Sequence, residues 1–220
     1  MSTLKIYGTV KSRTARTLWM AEELGIPYEL VAVDYRARET RTPAFLAINP
    51  NGHVPVIDDD GFTLHESMAI NHYLIRKHAD SPIAPRGLEE EARCLSWSFW
   101  VVTEVEATAL TVLMHGAILP AARRDPQKLA RATGALRPPL GVVEQALATG
   151  PCLLGERFTI ADLNVAAVLE WTLAVPALPA EFPLAHAWLK RCLDRPACRR
   201  IKAMRKAAAA DRLPASPATP

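Results

Sequence analysis

Glu66 and Ser67 stand side by side where an apolar, strand-like pattern gives way to a helical one. A carboxylate and a hydroxyl at that point lie at the positive end of a helix dipole, among backbone amides that have no intrahelical partner. That combination suits an α-amino acid group: the amides and Ser67 take its carboxylate, and Glu66 takes its ammonium. The residues just before them must aim the site. Val54-Pro55-Val56-Ile57 is a short apolar run whose second residue is proline. Proline in a strand costs a ladder hydrogen bond unless it sits at an edge or where the backbone turns to a ligand, and a cis Val54-Pro55 bond fits such a place. Asp59-Asp60-Gly61 then supplies a hairpin turn, Phe62-Thr63-Leu64 returns, and Met68, Ile70, Leu74 and Ile75 give the following helix its apolar side. The competing explanation is that Glu66 and Ser67 do no more than cap that helix.

The elements ahead of this stretch alternate. Leu4-Lys5-Ile6-Tyr7 reads as a strand, Gly8 to Ser12 as a loop, and Arg13 to Leu24 as a helix stopped by Gly25 before Pro27. Tyr28 to Asp34 reads as a second strand, followed by an arginine-rich stretch and a short helix around Pro43 to Ala47. The order β-α-β-α-β-β-α is that of a thioredoxin-like α/β domain, placed at residues 1–80. Residues 81–87 have linker composition. Beyond them only helical patterns occur: Leu88 to about Gly116, Pro126 to Ala148 broken at Pro138-Pro139, Ile160 to Thr172, Pro183 to Leu193 and Pro196 to Ala210. Residues 88–210 are therefore expected to form an all-α domain, and residues 211–220, rich in Pro and Ala, a disordered tail. Thr159-Ile160-Ala161-Asp162 has the form of a helix capping box, with Asp where Glu or Gln is usual.

Composition narrows the function classes. The net charge of +3 is mild, and only the last 32 residues are strongly basic, with 9 Lys/Arg against 2 Asp/Glu. Such an excess on one helix reads as a solvated face rather than a nucleic-acid footprint, which needs a broader basic surface. The four cysteines, Cys94, Cys152, Cys192 and Cys198, show no metal-ligand spacing and no C-x-x-C pair, so they read as packed, reduced thiols with no metal site. Neither a signal peptide nor a bilayer-length segment is expected, and the cytoplasm is the default compartment.

Asn49-Pro50-Asn51-Gly52-His53-Val54-Pro55 followed by Gly61-Phe62-Thr63-Leu64-His65-Glu66-Ser67-Met68-Ala69-Ile70 resembles the glutathione-binding half of the cytosolic glutathione S-transferases. The stretch Lys5-Ile6-Tyr7-Gly8-Thr9-Val10-Lys11-Ser12-Arg13 is similar to the phi and theta classes, in which a serine activates the thiol. The resemblance implies the fold pair already read from the pattern, glutathione as co-substrate, a small apolar electrophile as second substrate, a role in detoxification, and a homodimer. It implies Ser12 as the thiol activator, with Tyr7 as the rival because other classes use a tyrosine there. It also implies that Arg41 and His53 hold the glycyl carboxylate, that Val54 and Pro55 pair the cysteinyl backbone in the manner of an added strand, and that Glu66 and Ser67 hold the γ-glutamyl end. His53 replaces the family's usual glutamine, which makes that contact pH-sensitive. Arg13 would orient the loop.

The thiolate is the nucleophile, so the protein must lower the thiol pKa from about 8.5, and roughly two units require about 2.7 kcal/mol. A hydrogen bond to the charged sulfur, worth about 1.5–3 kcal/mol, together with a helix terminus, about 0.3–1 kcal/mol, is sufficient. The second substrate is expected between the domains, along the helix from Leu88. There Trp97, Val101, Val105 and Val112 form one stripe, the pattern of a core face, and Glu104, Thr108, Thr111 and His115 form another. The family's range implies peroxidase, dehalogenase or isomerase activity as alternatives. A non-catalytic adaptor on the same fold is opposed by the retained Ser12, Glu66 and Ser67. A disulfide oxidoreductase is opposed by the absence of any cysteine before Cys94.

Overall fold

The computed structural model describes residues 3–175 and 178–210; the expected disordered tail lies outside them. Two compact units emerge among the described residues, 3–70 with 195–210 in one, and 71–175 with 178–194 in the other. This division differs from the one expected at residues 80–88. The last helix belongs with the N-terminal unit, and the division falls inside the helix that follows Glu66.

The N-terminal unit holds a four-stranded sheet in the order β2-β1-β3-β4. Its strands are β1 (Leu4–Gly8), β2 (Tyr28–Ala32), β3 (Val56–Asp59) and β4 (Phe62–His65). β1 runs parallel to β2 and antiparallel to β3, and β3 and β4 form the hairpin. The parallel pair needs a crossover, which α1 (Thr14–Leu24) supplies, closed by Gly25 in the left-handed conformation. The hairpin turn is Asp60-Gly61, one residue shorter than expected, since Asp59 still pairs with Phe62. Both turn residues have positive φ, 58° and 87°, as a two-residue turn matching the strand twist requires. The Val54-Pro55 bond is cis and lies ahead of β3 rather than inside it. α2 (Pro43–Ile48) begins at Thr42, whose hydroxyl accepts the Phe45 amide, and α3 (Ser67–Lys77) follows β4.

α10 (Pro196–Ala210) returns to α1 and corrects the solvated-face reading of the basic C-terminal stretch. The Arg195 guanidinium grips Glu23 through two bonds of 2.7 and 2.8 Å, and Arg200 pairs with Glu22. Charges that look like a solvated face in sequence are here partly spent on a neighbouring helix.

The helical unit is built around one long helix. α4 (Gly87–Trp100) continues through a π-helical segment, Val101–Val105, into α5 (Glu106–Leu113) and a second π segment, Met114–Ile118. The helix of residues 87–118 is 32 residues long and contains an 18-residue window of mean hydropathy 1.3. The expectation that no segment reaches bilayer length is thereby corrected: the helix expected from Leu88 to about Gly116 is, by length and composition, long and apolar enough to cross a membrane. Val101, Val105 and Val112 are fully buried together with Cys94 and Ala109, as expected of a core face, whereas Trp97 of the expected stripe is half-buried. α6 (Pro126–Ala135) and α7 (Arg137–Ala146) divide at Leu136, which places Pro138 and Pro139 in the first turn of α7, where proline is tolerated. Residues 81–87 are not a free linker. Ile83 and Ala84 are buried, the Ile83 carbonyl accepts the Ile160 amide, and Arg157 bonds both Pro82 and Glu90.

α8 (Ile160–Leu169) opens with the expected capping box. Asp162, fully buried, accepts from the amides of Leu153 and Thr159, from the Thr159 hydroxyl, and from the Trp188 indole on α9 (Pro183–Leu193). Burial nonetheless pushes its carboxyl above the usual range. A second polar network links α3, α4 and α8. Asn71 donates to Asn164 at 2.8 Å, Asn164 to the Ser98 hydroxyl at 2.9 Å, and Ser98 to the Cys94 carbonyl at 2.8 Å. Ser98 keeps one lone pair, which the His72 Nε2–H fills at 2.9 Å. With Arg76 paired to Glu91, Asn71, His72 and Arg76 of α3 all meet partners in the helical unit. None of the four cysteines is in a disulfide, and burial pushes the Cys94 thiol up to about 11.

Burial lowers the His72 pKa from 6.5 to about 4. The unfolded chain therefore binds the proton first, and the stability contributed by neutral His72 is complete above pH 6.5 and is lost as the pH falls toward 4. His72→Gln keeps a donor to Ser98 and removes the titration. Its urea midpoint should fall less steeply than the parent's between pH 6.5 and 4; parallel profiles would assign the acid sensitivity elsewhere.

Candidate functional site

Three strand ends meet at one edge of the sheet. Tyr7 of β1 pairs with Val56 of β3, and Val56 pairs with His65 of β4. Because β3 is antiparallel to both neighbours, the loop after β1, the segment before β3 and the junction after β4 all leave from that edge. Ser12, Val54-Pro55 and Glu66-Ser67 are thus neighbours by register, although the sequence separates them by dozens of residues.

The β1–α1 loop is pressed against this edge by Gly8, whose φ is +137°. A Cβ there would lie 2.0 Å from the Thr14 hydroxyl and 3.1 Å from the Val54 side chain, so only glycine fits. α1 starts at Thr14, one residue later than expected, and half-buried Ser12 precedes it in a turn. The Ser12 amide donates to the Thr9 carbonyl at 3.0 Å. Its hydroxyl lies 2.8 Å from the same carbonyl and accepts the Thr14 amide at 3.2 Å. Ser12 therefore caps the helix start as well as standing at the site. Tyr7 is half-buried, packed on the Val33, Phe45 and Val56 cluster. Arg13 is exposed at the cap position of α1.

The segment before β3 hangs on Asn49, which is 1% exposed. Its carboxamide donates to the His53 carbonyl at 2.8 Å and accepts the Asn51 amide at 3.1 Å, closing the loop on itself. Gly52, at φ +61°, leaves no room for a side chain between the Thr40 carbonyl and the Arg41 guanidinium, 2.8 and 2.7 Å from where a Cβ would be. Arg41 is exposed and donates to the Asn51 carbonyl at 3.3 Å, so the structure joins it to the loop that carries His53, itself exposed. Val54 is half-buried and Pro55 buried.

At the third strand end Glu66 is exposed and adopts φ 72°, while its carbonyl accepts the Ile70 amide at 2.9 Å. A left-handed non-glycine residue there turns the chain sharply from β4 into α3. Ser67 is buried, and Arg16, 2% exposed on α1, reaches its hydroxyl at 3.5 Å. Sequence reasoning missed Arg16; the available signal was an arginine within the run of α1 residues that faces the core. Glu104, Thr108, Thr111 and His115 lie in the helical unit, with Glu104 exposed. Beside the β1–α1 loop a cavity of about 200 Å³ is lined by Gly8, Thr9, Val10, Lys11, Leu30, Ala32, Asp34, Tyr35, Arg36 and Ala208.

Residues 2–76 match the family described as glutathione S-transferase, N-terminal domain, and residues 105–196 match glutathione S-transferase, C-terminal domain. The chain belongs to the glutathione S-transferase family. Two similar proteins are the probable glutathione S-transferase GSTF1 of Oryza sativa subsp. japonica, 31% identical over 93% of this chain and 97% of its own, and glutathione S-transferase 4 of Zea mays, 30% identical over 90% and 91%. Among solved structures, glutathione S-transferase I from maize, in complex with an atrazine glutathione conjugate, superposes with a TM-score of 0.83 at 28% identity, over 93% of this chain and 99% of that one. A phi-like glutathione S-transferase fits these relatives.

Removing the Asn49 carboxamide strands the His53 carbonyl and the Asn51 amide in a loop with no ladder to fall back on. Asn49→Ala should lose about 1–3 kcal/mol of stability. The same variant should accelerate amide hydrogen exchange at Asn51 and Gly52, and unchanged protection there would show that the loop holds itself without Asn49.

Proposed function

We propose that this transferase joins the thiolate of glutathione to an apolar electrophile. Ser12 steadies the thiolate, and Arg41, His53, Val54, Pro55, Glu66 and Ser67 hold the peptide. The observation that carries this reading is the convergence of the three strand ends, which puts a hydroxyl, a cis-proline backbone and a carboxylate–hydroxyl pair around one edge. Each suits a different part of an anionic tripeptide. Turning from the Thr9 carbonyl, the half-buried Ser12 hydroxyl would donate a hydrogen bond to a sulfur anion and keep its proton, whereas the Tyr7 ring is engaged in packing; this favours Ser12. Catalysis is then positioning plus stabilisation of the thiolate. Val10, Leu30, Ala32 and Tyr35 make the cavity beside the loop largely apolar, which supports an apolar second substrate, although its lining lies in the N-terminal unit and not on the helix from Leu88 where that substrate is expected from sequence. The atrazine conjugate held by the maize relative agrees with that class. A cytoplasmic, detoxifying role belongs to the same proposal.

Ser12→Ala should lose most of the conjugation rate with little change in glutathione affinity, and the pKa of bound glutathione should rise. Full activity in Ser12→Ala beside a dead Tyr7→Phe would transfer the role to Tyr7. Glu66→Ala and Ser67→Ala should raise KM for glutathione by one to two orders of magnitude, roughly 1.4–2.8 kcal/mol for a lost charged contact. An unchanged KM in both would remove the amino-acid site.

A homodimer is the second part of the proposal. Leu88, Leu95 and Phe99 are 82%, 36% and 66% exposed and share one face of α4. A row of large apolar side chains on a well-formed helix suits a second copy of the same surface. Light scattering should give twice 24.1 kDa, and Phe99→Asp should halve it; a parent species at 24.1 kDa refutes the dimer.

A further inference from the structure

The turn that presents Ser12 is held from outside by the C-terminal helix. It spans residues 9–12 and is closed by the Ser12 amide on the Thr9 carbonyl, so Val10 and Lys11 are its two central residues. Both are tied to α10. Arg205 Nε donates to the Val10 carbonyl at 3.0 Å, and Lys11 Nζ donates to the Ala208 carbonyl, in the last turn of α10, at 2.7 Å. At the other end of α1, Arg195 and Arg200 hold Glu23 and Glu22. α10 is thus stapled along α1 in the opposite direction, from the last turn of α1 back to the loop ahead of its first. Val10 is 6% exposed, so its carbonyl bond with a guanidinium is largely sheltered from water.

We propose that Arg205 is a positioning residue for the reaction, acting through the Val10–Lys11 turn to hold the Ser12 hydroxyl in line with the glutathione sulfur. The inference rests on the Ser12 reading given above. A hydroxyl on a short turn is only as well placed as the turn. The internal bonds of this one meet at a single carbonyl, that of Thr9, whereas the bonds from α10 grip both central residues from a helix fixed at its far end. Loss of a donor to Val10 leaves the peptide-binding residues on β3, β4 and α3 untouched and lets Ser12 drift. A misplacement of about 1 Å can cost as much as a hundredfold in rate.

The test uses the full chain with glutathione and a haloaromatic electrophile, reading kcat, KM for glutathione, the pKa of the bound thiol from thiolate absorbance, and Tm. Arg205→Ala should lower kcat about tenfold or more, with KM within about twofold, and should raise the bound-thiol pKa. Arg205→Lys, which can still donate to one carbonyl, should recover part of the loss. In a Ser12→Ala background Arg205→Ala should have no further effect on kcat, because its influence runs through that hydroxyl. A lower Tm with kcat and thiol pKa intact would overturn the proposal, as would effects of Arg205→Ala and Ser12→Ala that multiply. If Arg205→Ala does not fold, Lys11→Met breaks the other bond and carries the same expectations. Full activity in Ser12→Ala defeats the Ser12 reading itself, whereas an impaired Ser12→Ala beside a normal Arg205→Ala defeats only the positioning role.

Discussion

The buried carboxamide of Asn49 is the interaction on which the N-terminal site depends. The residues between α2 and β3 join no strand ladder, so their backbone groups need partners of another kind. Asn49 supplies from its side chain both the donor and the acceptor that a strand partner would have provided. With those two bonds in place, Gly52 can lie against Thr40 and Arg41, Arg41 can reach the Asn51 carbonyl, and Val54-Pro55 can leave the loop in a fixed direction toward β3. The site is therefore rigid where it has no regular secondary structure.

The helical unit solves a related problem with charge. Its first long helix packs on α8, and a sheet-less core of this kind has no ladder to set the register of helices against one another. Asp162 does so by collecting four donors from a loop, a cap and α9, and Ser98 does so by joining α3, α4 and α8 through one oxygen. Buried polar networks of this kind specify one arrangement among many that would bury similar apolar area.

What was legible in the sequence is what is local. The Asp60-Gly61 turn, the Gly25 stop, the Thr159–Asp162 box and the boundaries of α9 and α10 follow from residues within a few positions of one another, and so does the strand–hairpin–helix that carries Glu66 and Ser67. What escaped is what needs a distant partner. Arg16 shows no sign in sequence of its contact with Ser67, 51 residues away, and the bond from Lys11 to Ala208 crosses 197. The basic run of α10 was misread for the same reason, because its acceptors lie on α1. The two π segments leave no periodic trace, so the helix from Leu88 to about Gly116 is legible in sequence whereas its two widened turns are not.

Gly8 sets a limit on how this chain can diverge. With the Thr14 hydroxyl 2.0 Å from where a methyl group would have to go, no single substitution there is tolerated without moving the turn, the helix start and Val54 together. The cavity wall a few residues away is under no such restraint. Tyr35 and Arg36 are exposed, so their side chains can be exchanged without touching the sheet. A lineage built on this fold can change the lining of the cavity through those positions while the glycine beneath them keeps the turn and the helix start in place.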